Sequence, residues 1–256
     1  MRTGPSAAPP RKRTALVTGA SSGIGAAVAE RLAAEHWRLL LNGRDEDRLN
    51  TVAAATGGTA LPRDLATPDG PARLAQDAIK IGGRIDLLVA GAGVGWVGPF
   101  ADMPGTQVDR LMGVNVVALM RLVHGVLPHM LGAGGGTIVL IGSVAGIGVR
   151  NEAVYSASKA AVHAFAEALR YEVADSGVHM AHVVPGVVDT PFLDRRQIPY
   201  TRSRPRPMPP GRVADVVWEA CRHGRDEVFV PSWMRLPGCV RTVAPELYHR
   251  LVRRFG

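Results

Sequence analysis

Three residue types that can move a proton together lie near the middle of the chain. Tyr155 and Lys159 are four positions apart and share a face if the segment is helical, and Ser143 precedes them. A phenol keeps its proton until about pH 10. A neighbouring ammonium favours the phenolate and lowers the phenol pKa, so such a tyrosine can exchange a proton with an alcohol or a carbonyl. Alone, this spacing could equally be two surface residues placed by chance.

A glycine-rich turn near the N-terminus supplies a second chemical signal. The buried-strand pattern Ala15–Val17 runs into Thr18-Gly19-Ala20-Ser21-Ser22-Gly23-Ile24-Gly25, and an apolar helical pattern follows to about Glu35. In a phosphate-binding turn, Gly19 allows the bend, Gly23 lets backbone amides approach a pyrophosphate, and Gly25 permits close packing of helix on strand. The N-terminus of the helix adds unpaired N–H groups and the positive end of its dipole. A glycine triplet without these flanking elements could be an ordinary turn.

The elements that must position these residues alternate along the chain, which predicts an α/β domain with a parallel sheet and crossover helices. The predicted strands are Ala15–Thr18, Arg38–Asn42, Thr59–Pro62, Leu87–Ala90, Thr137–Gly142, His179–Val184 and Glu227–Val230. The predicted helices lie near residues 24–35, 45–55, 70–80, 105–131, 153–175 and 211–222.

Composition limits the class of protein. The 256 residues suit one α/β domain, and the net charge of +8 comes mainly from arginine. Cys221 and Cys239 give no disulfide framework, which favours a reducing compartment and a cytoplasmic location. There is no uninterrupted run of about 18 apolar residues, so we expect no transmembrane helix. Residues 1–12 lack the apolar region of a signal peptide and are predicted to be a disordered leader.

Taken together, these motifs resemble those of the short-chain dehydrogenase/reductase family of classical type. The resemblance covers about residues 13–232 and includes the glycine turn, Asn115, Ser143, Tyr155-x-x-x-Lys159 and the segment Pro185-Gly186-Val187-Val188-Asp189-Thr190. It implies a Rossmann-like, doubly wound parallel sheet of seven strands with helices on both faces. It also implies an oxidoreductase that transfers a hydride between a nicotinamide and a carbonyl or alcohol carbon.

The resemblance assigns the proton transfer to four residues. Tyr155 is the expected general acid/base, and Lys159 is expected to lower its pKa and to hold the nicotinamide ribose. Ser143 is expected to hydrogen-bond the substrate oxygen and to stabilise the charge that develops there. Asn115 is expected to position a water that links Lys159 to solvent. We predict no metal site.

The resemblance also places a set of residues against the cofactor. They are Thr18, Gly19, Ser21, Ser22, Gly23, Ile24, Gly25, Arg44, Asp64, Leu65, Ala90, Tyr155, Lys159, Pro185, Gly186, Val188 and Thr190. Asp64 and Leu65 are expected at the adenine edge, and Thr190 at the nicotinamide carboxamide. Thr18 and Asp64 could equally be capping residues.

Cofactor preference is read after the second strand, where an acidic residue binds the ribose hydroxyl of NAD and an arginine accepts the 2′-phosphate of NADP. The chain has Asn42-Gly43-Arg44, which favours NADP(H) and leaves NAD(H) possible. Ser22 stands where many NADP-binding members have a basic residue, which argues the other way.

One segment departs from the family pattern. Ala90-Gly91-Ala92-Gly93 replaces the usual Asn-Asn-Ala-Gly after the fourth strand. This loss puts the rigidity of the nicotinamide side of the site in doubt, although it removes no proton-transfer group.

The substrate is expected to be a hydrophobic carbonyl compound or secondary alcohol, because the loops next to the site are apolar. Ser143, Trp96, Val149 and Phe192 are the predicted substrate contacts. Residues 191–210 are rich in proline and arginine and are predicted to be a substrate lid, with a disordered insertion as the alternative. No substrate is identified by these features.

Partners are predicted from the remaining surfaces. Residues 233–256 form a basic amphipathic extension that could bind an anionic membrane, although covering a pocket or closing a subunit contact is favoured. Apolar helices near 105–131 and 153–175 predict a homodimer or homotetramer. Dispersed arginines without interleaved aromatic residues do not predict nucleic-acid binding. The alternative function is a non-catalytic NADPH-sensing regulatory protein on the same fold.

Overall fold

A parallel sheet of seven strands forms the middle layer of this computed structural model, which describes residues 11–201 and 205–255, with side chains up to residue 250. The strands are β1 (Thr14–Thr18), β2 (Arg38–Gly43), β3 (Thr59–Pro62), β4 (Leu87–Ala90), β5 (Gly136–Ile141), β6 (Val178–Pro185) and β7 (Glu227–Val230). Their order across the sheet is β3-β2-β1-β4-β5-β6-β7, and every pairing is parallel. The predicted strands and the parallel sheet are confirmed.

Helices cover both faces of this sheet. Within the described chain they are α1 (Gly23–Ala34), α2 (Glu46–Thr56), α3 (Gly70–Gly82), α4 (Gly105–Met112), α5 (Leu119–Gly132), α6 (Ala153–Val173), α7 (Pro210–His223), α8 (Leu236–Val243) and α9 (Pro245–Phe255). One buried apolar cluster joins the sheet to α1 and α7, and a second joins it to α3, α5 and α6. The central strands read as continuous apolar runs because both of their faces are buried.

The strand order reverses at β1, which pairs with β2 on one side and with β4 on the other. The chain turns toward opposite faces of the sheet at this point, and a crevice opens beyond the carboxyl ends of the strands. Thr18, the last residue of β1, is in register with Asn42 and with Ala90. The glycine turn and the loop after β4 therefore meet at this crevice.

The helix predicted over 105–131 is divided by a π-helical turn. Gly113–Ala118 is π-helical and joins α4 to α5 in one continuous helix, Gly105–Gly132. This helix is long and apolar enough to cross a membrane by length and composition, although the sequence contains no uninterrupted apolar run of that length. Half of its most apolar window is buried within the protein, where Leu122 and Val126 join the second apolar cluster. We therefore describe it as a core helix of the domain.

The ends of the chain differ in detail from the sequence prediction. Residues 1–10 of the predicted leader lie outside the described residues, but Arg11 is already held by an ion pair with Asp86 at 2.7 Å. In the extension after β7, Pro245 begins a new helix, so the apolar pattern is divided between α8 and α9.

Candidate active site

Helix α6 carries the tyrosine and the lysine on one face, as their spacing predicts. Tyr155 lies in its first turn, and Lys159 Nζ is 5.8 Å from the centroid of the Tyr155 ring. Lys159 is only 8% exposed and donates a hydrogen bond to the Ile141 carbonyl at 2.9 Å, at the end of β5. The bond to Ile141 fixes the ammonium between the helix and the carboxyl edge of the sheet.

The pKa of the tyrosine does not shift in the direction expected from the sequence. Withdrawal of the phenol from solvent raises the pKa of Tyr155 to about 12, against a lowering by its hydrogen bond with Ser143. The Glu152 carboxylate raises this pKa further and the Arg196 guanidinium lowers it. Burial lowers the pKa of Lys159 to about 8. The expectation that Lys159 brings the phenol toward neutrality is therefore wrong for the protein groups alone, because burial dominates both residues.

Ser143 is held next to the tyrosine by the loop that follows β5. It is in extended conformation and caps a short 3₁₀ turn, Val144–Ile147, by accepting a hydrogen bond from Ala145 N at 3.1 Å. The same loop is tied to α6, because Val149 N donates to Ser156 Oγ at 3.0 Å. The serine and the tyrosine therefore approach from two elements whose relative position is fixed.

Asn115 lies in the π-helical turn and is almost completely buried. Its amide accepts a hydrogen bond from Val94 N at 2.8 Å and donates to Val94 O at 2.9 Å and to Ser158 Oγ at 3.1 Å. A π turn displaces side chains relative to an α-helix and is frequent at functional sites. The visible role of Asn115 is to brace the loop after β4 against α6. Ser158, the residue before Lys159, was not predicted from the sequence as a partner of Asn115.

The glycine turn has the backbone geometry that a close approach requires. Gly19 has φ +72, which disfavours residues with a Cβ, and a Cβ on Gly25 would collide with the Gly19 carbonyl. Ala20 N donates to Asn42 O at 2.9 Å, which holds the turn to the end of β2. Ser22 precedes α1 in extended conformation and its side chain makes no capping hydrogen bond.

The unusual segment after β4 is braced from two sides. The Thr18 hydroxyl accepts hydrogen bonds from Gly91 N at 3.1 Å and from Ala92 N at 3.2 Å. Two residues further on, the Asn115 side chain binds both the N–H and the carbonyl of Val94. Thr18 and Asn115 therefore supply backbone contacts in a segment that lacks the two usual asparagine side chains.

The two ends of the predicted cofactor cleft differ in character. At one end, Arg44 is exposed directly after β2, and Asp64 uses its carboxylate to accept a hydrogen bond from Ala66 N at 2.9 Å. At the other end, a Cβ added to Gly23 would lie 3.0 Å from Thr190, so the turn and the segment after β6 are in close contact. Leu65, Ala90, Pro185 and Val188 are buried beneath this edge.

The lid segment lies over the tyrosine. The rings of Phe192 and Tyr155 are 5.7 Å apart, and Arg196, only 8% exposed, forms an ion pair with Glu152 at 3.0 Å. The Arg196 carbonyl also accepts a hydrogen bond from Val97 N at 3.0 Å. Trp96 is buried in an apolar cluster that Tyr155 also contacts. Residues 191–210 were predicted to be a substrate lid, and in the structure Arg196 holds this segment internally through its ion pair with Glu152.

The base of the lid is closed by an isolated parallel bridge between Val188 and Met208. Asp189 N donates to Met208 O at 2.8 Å, and Met208 N donates to Val187 O at 2.9 Å. Residues 202–204, which include Arg202 and Arg204, lie outside the described residues. The two ends of the lid are therefore fixed next to each other at the sheet.

These residues fit a nicotinamide dinucleotide. The glycine turn presents backbone and the N-terminus of α1 to an anion, and Gly23 leaves space that a Cβ would fill against Thr190. The buried Lys159 supplies a hydrogen-bond donor beside Tyr155. Arg44 supplies a positive charge at the far end.

Comparison with known proteins agrees with this geometry. Residues 13–199 match the short chain dehydrogenase family. The ketoacyl reductase HetN of Nostoc sp. is 33% identical over 259 residues, which cover 95% of this chain and 89% of that protein.

Solved structures give the same result. A short-chain dehydrogenase from Sphingobium yanoikuyae in complex with NADPH has a TM-score of 0.81 and 30% identity, covering 91% of this chain and 96% of that chain. A short chain dehydrogenase/reductase from Burkholderia phymatum in complex with NAD has a TM-score of 0.82 and 26% identity, covering 91% of this chain and 95% of that chain. With its strand order, glycine turn and Ser143-Tyr155-Lys159 arrangement, this chain belongs to the short-chain dehydrogenase/reductase family and is an oxidoreductase acting on CH–OH or C=O groups with a nicotinamide cofactor.

Proposed function

We propose that the protein is an NADP-dependent oxidoreductase that interconverts a hydrophobic carbonyl compound and its secondary alcohol, with Tyr155 as general acid/base. The observation that carries this proposal is the meeting of Tyr155 and Ser143 beside a buried Lys159, at the edge of the sheet where the glycine turn lies. The cofactor, when bound, supplies or accepts the hydride.

The protein groups divide the remaining work among themselves. Ser143 donates a hydrogen bond to the substrate oxygen and stabilises the charge that develops on it. Tyr155 is protonated at neutral pH, since its pKa is raised to about 12, and this is the form that gives a proton to a carbonyl. Lys159 holds the ribose next to the phenol. Asn115 keeps the loop after β4 in place and orders a water on the path between Lys159 and solvent.

The preference for NADP(H) over NAD(H) rests on the residues after β2. Gly43 leaves no acidic side chain to repel a phosphate, and a Cβ there would lie 2.9 Å from Ser21 Cβ. Arg44 follows with an exposed side chain and makes no ion pair within the described chain. Its guanidinium is therefore available to a 2′-phosphate.

The proposed substrate is apolar near the reacting carbon. Trp96, Phe192 and Val149 lie on the three loops around Tyr155, and Phe192 contacts its ring. HetN, which matches nearly the whole chain, is described as a ketoacyl reductase, which supports a ketone with an apolar tail.

We also propose a homodimer or homotetramer in the cytoplasm. On the helix that contains α5 and on α6, Val117, Leu131 and Tyr171 expose large apolar surfaces. Cys221 and Cys239 are unpaired, as expected in a reducing compartment. We propose no nucleic-acid partner, and for the C-terminal extension we favour a packing role over membrane binding.

The decisive experiment measures oxidation of NADPH, with NADH in parallel, across apolar ketones and aldehydes. We expect NADPH to be preferred and Tyr155→Phe to lower kcat by about 10²- to 10⁴-fold without loss of cofactor binding. Arg44→Ser should lower kcat/KM for NADPH by on the order of tenfold and leave NADH unchanged, because it removes a contact to the 2′-phosphate alone. Tight NADPH binding with no turnover of any carbonyl would favour the cofactor-sensing alternative.

A further inference from the structure

Three side chains of types that commonly bind metal ions meet on the α6 side of the sheet, behind the loop that holds Ser143. They are His163 on α6, His182 on β6 and Glu227 on β7. His163 Nδ1 lies 3.4 Å from His182 Nδ1, and each of these nitrogens lies 3.1 Å from the same oxygen, Glu227 Oε1. The proposed reaction uses none of these residues.

The three atoms form a nearly equilateral triangle with the dimensions of a tetrahedral metal site. In such a site, a zinc ion about 2.0–2.1 Å from each ligand holds the ligand atoms about 3.3 Å apart. Two imidazoles and one carboxylate are also a ligand set that suits zinc and related transition metals. Neither distances nor ligand types need rearrangement to receive such an ion.

Hydrogen bonding alone accounts less well for this arrangement. If both imidazoles donate to the carboxylate, their N–H groups must point at the same oxygen, Glu227 Oε1. The two donor nitrogens are then only 3.4 Å apart, and each lies 3.1 Å from that oxygen. Both hydrogens would then crowd one acceptor atom. A single cation above the triangle satisfies all three lone pairs at once.

The surroundings give the cluster a buried base and an open side. His182 is 2% exposed and lies against Gly142, whereas His163 is 49% exposed at its side chain. The other ring nitrogen of His163 lies 3.7 Å from Glu167, one turn further along α6, so a carboxylate can orient that imidazole. Lys159 and Arg170 are the positive groups that act on the cluster, and the Glu167 and Glu227 carboxylates oppose them.

We propose that His163 Nδ1, His182 Nδ1 and Glu227 Oε1 bind one divalent transition-metal ion, Zn²⁺ by ligand type, with water in the fourth position on the exposed side of His163. The ion would add a link between α6 and the strands β6 and β7, beside the hydrogen bonds that Arg170 donates to the Met180 and Asp226 carbonyls. The ligands are 19 and 45 residues apart in the chain, so no local spacing indicates the site, and the proposal departs from our sequence prediction of no metal.

The test uses the full-length protein, stripped with a chelator and then equilibrated with Zn²⁺ under competition from a weak chelator. We expect one Zn²⁺ per chain by elemental analysis and a Tm raised by about 5 °C at saturating Zn²⁺, because the ion binds only the folded state. Co²⁺ in place of Zn²⁺ should give the strong visible absorption of a tetrahedral site. His163→Ala, chosen because this side chain is half exposed, should abolish all three signals.

A matched control separates this site from general histidine binding. His223 also pairs with a carboxylate, Glu219, at 2.9 Å, but within the described chain no third ligand joins them. His223→Ala should therefore bind Zn²⁺ as the parent does, and Glu227→Gln should lose binding while retaining the size of the side chain. Substoichiometric Zn²⁺ in the parent, or equal loss in His223→Ala and His163→Ala, would overturn the proposal.

Discussion

At the scale of single residues, Lys159 is a buried cation beside Tyr155, the proposed general acid/base. Burial lowers its pKa from 10.5 to about 8, and its ammonium donates a hydrogen bond to the Ile141 carbonyl. Active sites often carry such perturbed groups, at a cost in stability.

This cost predicts a pH-dependent stability difference. Below about pH 8 both the folded and the unfolded chain carry the Lys159 proton, so the folded state bears the full free-energy cost of burying the ammonium. Between about pH 8 and 10.5 the unfolded chain binds this proton more tightly, so the parent gains stability as pH rises. Lys159→Met should therefore be more stable than the parent at pH 7 by about 1–3 kcal/mol, and this gain should shrink by pH 9.5.

Urea unfolding at the two pH values measures this difference. Lys80→Met, which replaces an exposed lysine, is the control and should change stability little at either pH. A Lys159→Met variant that is less stable than the parent by the same amount at both pH values would show that the buried charge carries no penalty.

At the scale of elements, a buried ion pair helps to anchor the lid, together with the hydrogen bond from Val97 N to the Arg196 carbonyl. Arg196 and Glu152 are 10% and 14% exposed at their side chains, so replacing the arginine removes a largely buried attraction between the lid and the start of α6. We expect Arg196→Met to loosen the lid and to raise KM for the carbonyl substrate by about tenfold or more, with a smaller change in kcat. Steady-state kinetics on the best substrate of the panel provides the measurement.

Two further variants interpret this result. Arg195→Met, at an exposed neighbouring position, should leave KM unchanged. The double variant Glu152→Met/Arg196→Met should recover part of the lost affinity, because it removes both charges. If the double variant has a KM no lower than that of Arg196→Met, the ion pair does not act as a unit.

Elements also show where sequence reasoning succeeds and where it fails. The strands were predicted because parallel strands covered on both faces read as uninterrupted apolar runs, as in Leu39–Leu41 and Ile138–Ile141. Tyr155 and Lys159 could be predicted to lie close together because they are neighbours on one helix. The Arg196–Glu152 pair and the histidine cluster were missed because their members come from segments far apart in sequence. The direction of the Tyr155 pKa was wrong because burial cannot be read from a four-residue spacing.

At the scale of the whole molecule, the C-terminal helices lie against the candidate site. Arg241 donates to the Ile147 carbonyl at 2.7 Å, in the loop that begins at Ser143, and Met234 is buried beside Gly186. Trp233, Leu236, Val243 and Leu247 remain exposed. These contacts favour a role in covering the substrate side of the domain over one in binding a membrane.

Deleting residues 244–256 tests the two roles. We expect a several-fold higher KM for apolar ketones, since α9 supports α8 against the site loop, and no flotation with anionic liposomes for either form. The parent chain measured on neutral liposomes is the control. Flotation of the parent on anionic vesicles that disappears on deletion would instead establish membrane binding.

The bridge between Val188 and Met208 has a consequence for how this scaffold can be altered. Val188 and Met208 lie side by side at the sheet, so the strands do not depend on the length of the segment between them. The entropic cost of closing such a segment grows only slowly with its length. A segment of another length could therefore replace it without displacing the strands. Replacing the residues after Thr190 and before Met208 should change the surroundings of Tyr155, with loss of the contacts that Phe192 and Arg196 make.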